Sequence, residues 1–271
     1  MHKLSKQERE KLRKYLKCKQ SLGNEEKLLW SMIERYKDIL HSIPGIQAIC
    51  ICNSLAMNAC HKNSDIDFFV ITQRNRLWTA RIYLTLFTSL LGVRKTQKKH
   101  AGKFCLSFFV SEEERNFGDI ALKNDIYLSY WLETLVPVIN KHNAFEGFLK
   151  RNGLEKFHKT IQSGVFSQHK TSLLNSLSSE EREATSCNLL VAYPLSSRRG
   201  LGGGFTGERG VIGRFIRYLG DAQEHILKKI FLKKTLRNYE RLGRPFGVKI
   251  TDTMLKFHDK DRRKEIRDRI L

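Results

Sequence analysis

The chain is 271 residues long, and its 49 Lys and Arg against 28 Asp and Glu give a formal charge of +21. Apolar residues make up 41% and there are 4 prolines, so the sequence can bury a sizeable core and is neither disordered nor of low complexity. A charge of this size and sign favours a polyanionic partner, such as nucleic acid, nucleotide phosphates or an anionic membrane face, and says nothing about fold. It is uneven, because positions 209–271 hold 18 basic and 8 acidic residues, a net +10.

The six cysteines (18, 50, 52, 60, 105 and 187) form no CxxC pair, and four of them lie in apolar segments. They read as reduced, buried small residues of a cytoplasmic protein, not as a disulfide frame or a zinc site. The opening MHKLSKQEREKLRKYLK is too charged for a signal peptide. The most apolar stretch, Leu77 to Val93, contains Arg81 and falls short of the roughly 20 apolar residues that span a bilayer. No membrane segment is expected.

In chain order, residues 4–20 read as a charged helix opened by a Ser5–Glu8 capping box. Leu28, Met32, Tyr36 and Ile39 predict a helix from Asn24 to His41, ended by the Ser42-Ile-Pro-Gly45 turn. Gln47 to Cys52 is a short apolar run of the kind found in buried strands, residues 55–61 read as a short helix, and Asp65 to Thr72 as a second strand. A helix from Leu77 to Leu91 stops at Gly92, a polybasic linker covers 94–100, and Lys103 to Val110 makes a third strand. This is strand–helix–strand–helix–strand within about 65 residues. Beyond it the pattern reads as helical. Asp125 caps a helix running to Val136 and stopped by Pro137, another covers 143–150, and a long basic amphipathic helix runs from Glu208 to about Leu242. Residues 196–210 read as a Gly-rich basic loop.

The chemistry concentrates in CNSLAMNACHKNSDIDFFV, residues 52–70. Asp65 and Asp67 sit at i and i+2 of a strand, so both leave the same face, roughly 6.6 Å apart along it. Two carboxylates so close repel unless a cation lies between them, and Mg²⁺ takes one or two carboxylates plus substrate phosphates. Ile66 and Phe68 point to the opposite, core face. Asn53-Ser54 lies where the first strand meets a helix, Ser54 is a good N-cap, and helix starts offer free N–H groups to phosphate. Phosphate donors opposite a metal site are what phosphoryl or nucleotidyl transfer requires.

The order Asn53-Ser54, ten residues, then Asp65-Ile66-Asp67-Phe68 resembles the DNA polymerase β-like nucleotidyltransferase superfamily. The stretches Lys103 to Val110 and Tyr127 to Leu132 are similar to bacterial proteins carrying that domain. The resemblance implies an α+β fold: a small mixed-sheet nucleotidyltransferase core at 45–120, N-terminal helices at 1–44 and a helical basic region at 121–271. It implies that Asp65 and Asp67 are catalytic and bind Mg²⁺ (or Mn²⁺), that Asn53 and Ser54 bind nucleotide, and that a nucleoside triphosphate is substrate, with pyrophosphate released. The sequence departs from the family twice. Asn53 replaces the usual leading Gly, though Asn tolerates left-handed backbone angles. The third strand has no carboxylate where the family places one; Ser107 stands there, with Glu112, Glu113, Glu114, Asp119 and Asp125 nearby.

Other features have blander readings. The Gly-rich loop at 200–204 lacks the GK[ST] ending of a phosphate loop and reads as a connector. His258-Asp259 reads as a surface pair, and His61 and His100 as exposed. Basic runs 94–99 and 228–234 suit either a solvated face or nucleic acid. The expectation is a Mg²⁺-dependent nucleotidyltransferase acting on an unidentified hydroxyl acceptor, with RNA or DNA as partner of the basic C-terminal region. The alternative is a catalytically impaired nucleotide- or RNA-binding protein on the same fold.

Overall fold

The computed structural model describes residues 1–158, 208–258 and 261–271, with side chains described outside 208–217. Two helices lead the chain, α1 (Lys6–Tyr15) and α2 (Asn24–Ser42). The Ser5 hydroxyl accepts from the Glu8 N–H and the Glu8 carboxylate accepts from the Ser5 N–H, the expected capping box. Next come β1 (Ile46–Cys52), α3 (Asn53–Ala56), β2 (Ile66–Thr72), α4 (Leu77–Leu90), β3 (Phe104–Ser111), α5 (Ile126–Thr134), β4 (Val136–Asn140), α6 (Ala144–Arg151) and α7 (Glu155–His158). Past the undescribed segment lie α8 (Glu208–Arg241), β5 (Val248–Ile250), β6 (Met254–Phe257) and α9 (Arg263–Ile270). The Gly-rich stretch up to residue 207, Cys187 and Asp259 lie outside the described residues.

The six strands form one mixed sheet in the order β4-β1-β2-β3-β6-β5. β1 runs antiparallel to β2, and β2 parallel to β3, whose crossover is α4. Both faces are covered, so the central strands are apolar on every side. Ala48, Cys50, Cys52, Phe69, Ile71, Phe108 and Val110 pack on one face beneath α5, α6 and α9. Ile49, Ile51, Ile66, Phe68, Val70, Phe104 and Phe109 pack on the other beneath α2, α4 and α8. This double burial is why QAICIC and FFVIT read as continuous apolar runs rather than as alternating ones.

Three strands come from the region expected to be helical. β4 contains Pro137, which lacks an N–H and is tolerated because β4 is the edge of the sheet. β5 and β6 are 3 and 4 residues long, too short to leave a period in the sequence, yet β6 pairs with β3 and completes the sheet. Two distant carboxylates brace the layers. Glu26, fully buried on α2, accepts from the Cys60 N–H at 3.0 Å and from Lys19 Nζ at 2.9 Å, anchoring the segment after α3. Glu224, on α8, accepts from the N–H groups of Trp78 and Thr79, both at 2.8 Å. It thereby caps α4 across tertiary space, where the helix's own Arg76 makes no side-chain cap. Among the described residues no helix is long and apolar enough to cross a membrane.

Candidate metal centre

β1 ends at Cys52, and the chain turns through Asn53, whose φ of 56° is left-handed. The helix therefore begins two residues earlier than Ser54 as N-cap implied: Cys52 occupies the cap, and Ser54 lies inside a helix of 4 residues, Asn53–Ala56. Asn tolerates this backbone, and it contributes something glycine lacks, since its side chain hydrogen-bonds the Asp67 carboxylate. Asp65 immediately precedes β2 and Asp67 is its second residue. Asp67 lies opposite Cys52 on one side and Cys105 on the other, so the most buried carboxylate of the motif is flanked by two thiol-bearing residues.

One carboxylate oxygen each of Asp65 and Asp67 and the Cys105 Sγ lie within 4.8 Å of one another. Cys105, not Ser107, is thus the third group of the cluster. The parallel register sets Cys105 beside Asp67, and a bulge between the Asp67 and Phe69 pairs shifts the register beyond them. Ser107 instead hydrogen-bonds the Cys105 thiol. Four of the five acids named downstream of β3 are engaged elsewhere. Glu114 accepts from the Thr253 hydroxyl, Glu112 accepts from the Arg74 N–H, Glu113 pairs with Arg74, and Asp125 caps α5 and holds Arg263 at 2.8 Å.

Burial first, and the Asp65 charge second, raise the Asp67 carboxyl above its usual range; Asn53, Cys105 and Lys95 pull it partly back. Burial, then the charge of Asp67, pushes the Cys105 thiol far up, so it stands as a neutral S–H beside the acids. The compensating cation comes from the polybasic linker. Lys95 Nζ bonds Asp65 Oδ2 directly and lies 3.8 Å from Cys105 Sγ, touching two of the three groups of the cluster. Its backbone is pinned by a bond from its N–H to the Phe104 carbonyl at 2.9 Å.

Asn53, Ser54, Asp65 and Asp67 all line one cavity of about 610 Å³, a size that suits a small ligand. His61 lines it as well, whereas His100 does not. Its far wall comes from β6 and α9: Lys256, His258, Asp261, Arg262 and Arg263. Asp261 bonds Lys256 at 3.1 Å and Arg263 at 2.9 Å. Burial opposes its charge, but the Arg263 bond and the Lys256 charge prevail and hold its carboxyl at about 2. Of the His258-Asp259 pair only His258 is among the described residues, and it is half-buried. Its Nδ1 is buried without a hydrogen-bond partner, and burial, then the Lys256 charge, pushes its imidazole down to about 4. Lys95, Cys105 and His258 escape a reading by motif. Cys105 alone had a signal, because placing the third strand parallel to the second sets it level with Asp67.

Two carboxylates suit a hard divalent ion such as Mg²⁺ or Mn²⁺; a deprotonated thiol would add preference for a softer one, while the thiol form adds no ligand. Comparison of the chain with family models, curated proteins and solved structures returned no match.

Proposed function

We propose that this chain is a divalent-metal-dependent nucleotidyltransferase, built on a polymerase β-like core, that moves a nucleoside monophosphate from a triphosphate to a hydroxyl acceptor. The observation that carries the reading is the convergence of Asp65, Asp67 and the Asn53-Ser54 turn on one cavity. Asp65 and Asp67 hold Mg²⁺ or Mn²⁺, which when bound offsets the charge of the polyphosphate. Ser54, a lining residue of the cavity, and the first N–H groups of α3 orient phosphate oxygens. Asn53 fixes the Asp67 carboxylate through its side chain, and Phe68 and Ile66, fully buried behind the acids, keep β2 rigid. Arg262, exposed at the rim, is already paired with Glu265 at 3.0 Å and so is not counted as a phosphate ligand. The acceptor oxygen bonds to the α-phosphorus as the bond to the bridging oxygen breaks, the hydroxyl proton passes to water, and pyrophosphate leaves. The decisive experiment is pyrophosphate release from each of the four triphosphates, with Mg²⁺ or Mn²⁺, over a panel of RNA, DNA and small hydroxyl acceptors. Release by the wild type that Asp65→Asn and Asp67→Asn both abolish upholds the reading, and full activity in the two variants would sink it.

A second reading is favoured by Cys105 and Lys95. A thiol stands in the place of a third carboxylate, and a lysine already neutralises Asp65. In that reading the protein binds nucleotide or RNA without transfer. Calorimetry showing metal-dependent triphosphate binding, with no release over the same panel, selects it.

A further inference from the structure

On the opposite face of the sheet a second cavity, of about 440 Å³, lies between α4 and α8. Its wall carries three cations, Arg81, Arg94 and Lys234, together with Thr85, Asn238 and the ring of Phe231; no carboxylate among the described residues lines it. Arg81 is the unusual one. Its guanidinium stacks on the Phe257 ring, with Cζ 4.1 Å from the centroid, and faces the Phe109 ring at 5.4 Å. Of its five N–H donors, one makes a long bond, 3.4 Å, to the Leu106 carbonyl. Among the described residues neither Arg81, Arg94 nor Lys234 has an acidic partner.

A half-buried guanidinium without an anion among the described residues is costly, and proteins tend to keep such groups paired. Here burial and the neighbouring Arg94 both work against the charged form of Arg81. Two aromatic faces hold the fork in place without satisfying its hydrogens. The arrangement is a seat awaiting an oxyanion, since a planar guanidinium meets phosphate oxygens through two parallel bonds. The floor is apolar, and the rim continues along α8 through Arg237 and Arg241 at helical spacing.

We propose that the cavity between α4 and α8 is a binding site for a phosphate group, anchored by Arg81 and closed by Arg94 and Lys234. It is separate from the acidic cavity and stands whether or not that cavity catalyses transfer. The phosphate comes either as a free nucleotide-type anion or as part of a polynucleotide backbone, and the same three cations recognise both.

The test uses the full chain in EDTA, where the acidic cavity has no metal with which to hold phosphate. Binding of inorganic pyrophosphate is read by calorimetry at fixed ionic strength, and binding of a fluorescent single-stranded RNA by anisotropy. Arg81→Met and Arg94→Gln are compared with Lys27→Gln, an exposed charge on α2 outside both cavities. Each cavity variant should weaken binding roughly tenfold, about the loss expected for a single charge-assisted hydrogen bond, while Lys27→Gln matches the wild type. If pyrophosphate binding falls while RNA binding holds, the ligand is a free anion; if RNA binding falls and pyrophosphate competes with it, the ligand is a backbone. Affinity for both probes that ignores Arg81 and Arg94 overturns the proposal. Should Arg81→Met fail to fold, the exposed pair Arg94→Gln/Lys234→Gln decides between the same outcomes.

Discussion

The two cavities invert one another. One holds a carboxylate pair that Lys95 already meets; the other gathers cations with no carboxylate among the described residues. Consecutive residues divide between them. Lys95 reaches Asp65 while Arg94 lines the α4–α8 cavity, and His258 walls the acidic cavity while Phe257 stacks on Arg81. Extended chain sends successive side chains to opposite faces, so two short stretches, both beside the edge of β3 that faces away from β2, equip both sites at once. The difference teaches that burial alone does not define a site. The acids, half-satisfied by Lys95, can wait for a metal, whereas Arg81 has no internal substitute for its ligand.

The largest expected effect breaks the acidic side alone. Asp67→Asn should lower Mn²⁺ affinity by more than the about 10–100-fold lost with an outer-shell partner. It should also raise the melting temperature of the metal-free protein, because it removes a buried charge beside another of like sign. Each kcal/mol relieved shifts the midpoint by about 2–4 °C in a chain of this size. Metal titration and calorimetric melting of the same variant check both, and a melting temperature that falls would mean that the bond to Asn53 outweighs the repulsion.

Breaking the basic side calls for a residue that builds its wall. Glu224 fixes α8 to the start of α4 by two bonds of 2.8 Å to backbone N–H groups. Glu224→Ala should cost about 3 kcal/mol in urea unfolding, within the range for charged hydrogen bonds left unmade. It should weaken pyrophosphate binding while leaving Mn²⁺ binding in place. Loss of both would show that the two regions are not independent.

A smaller effect sharpens the contrast between a site with its own counter-ion and one without. Lys95 touches two groups of the cluster, so a divalent ion must displace it or share with it. Lys95→Gln should tighten Mn²⁺ binding by about tenfold, a modest part of what a unit charge at 4 Å is worth near a protein surface. Unchanged affinity would place the metal away from the Asp65 oxygen that Lys95 holds.

Legibility in the sequence divides along the same line. The acidic side was legible because β1, β2 and the turn between them are local: an apolar run, Asn53-Ser54 and the Asp pair sit within 20 residues. The six-stranded sheet was half legible. β1, β2 and β3 carry long apolar runs, while β4 hides behind Pro137 and β5 and β6 are too short for a period. The rest depended on pairing across distance. Nothing in KFCLSFFV marks Cys105 until β3 is set parallel to β2, and nothing in the basic linker separates Lys95 from its neighbours until its backbone joins Phe104. Along the chain, Arg81 is a charged break in an apolar helix. Its meaning lies in two rings, one of them on β6.

The last prediction concerns His258, and its sign comes from linkage. Its folded imidazole protonates at about 4 because burial and the Lys256 charge oppose the cation, whereas an unfolded histidine does so near 6.5. A depressed folded value means that the unfolded chain binds the proton first. The contribution is therefore fully present above pH 6.5 and is lost as pH falls from there toward 4, at up to about 1.4 kcal/mol per pH unit. His258→Gln should flatten urea stability across that window. Asp67 acts in the opposite sense, since its raised folded value lets the native state take a proton before the unfolded chain does, which adds stability as pH falls. The two partly cancel in the wild type. Asp67→Asn should therefore steepen the acid loss, and the double variant Asp67→Asn/His258→Gln should be flatter than Asp67→Asn alone. A double variant as steep as Asp67→Asn would move the titrating group away from His258, and with it the reading of its unpartnered Nδ1 as a neutral wall of the acidic cavity.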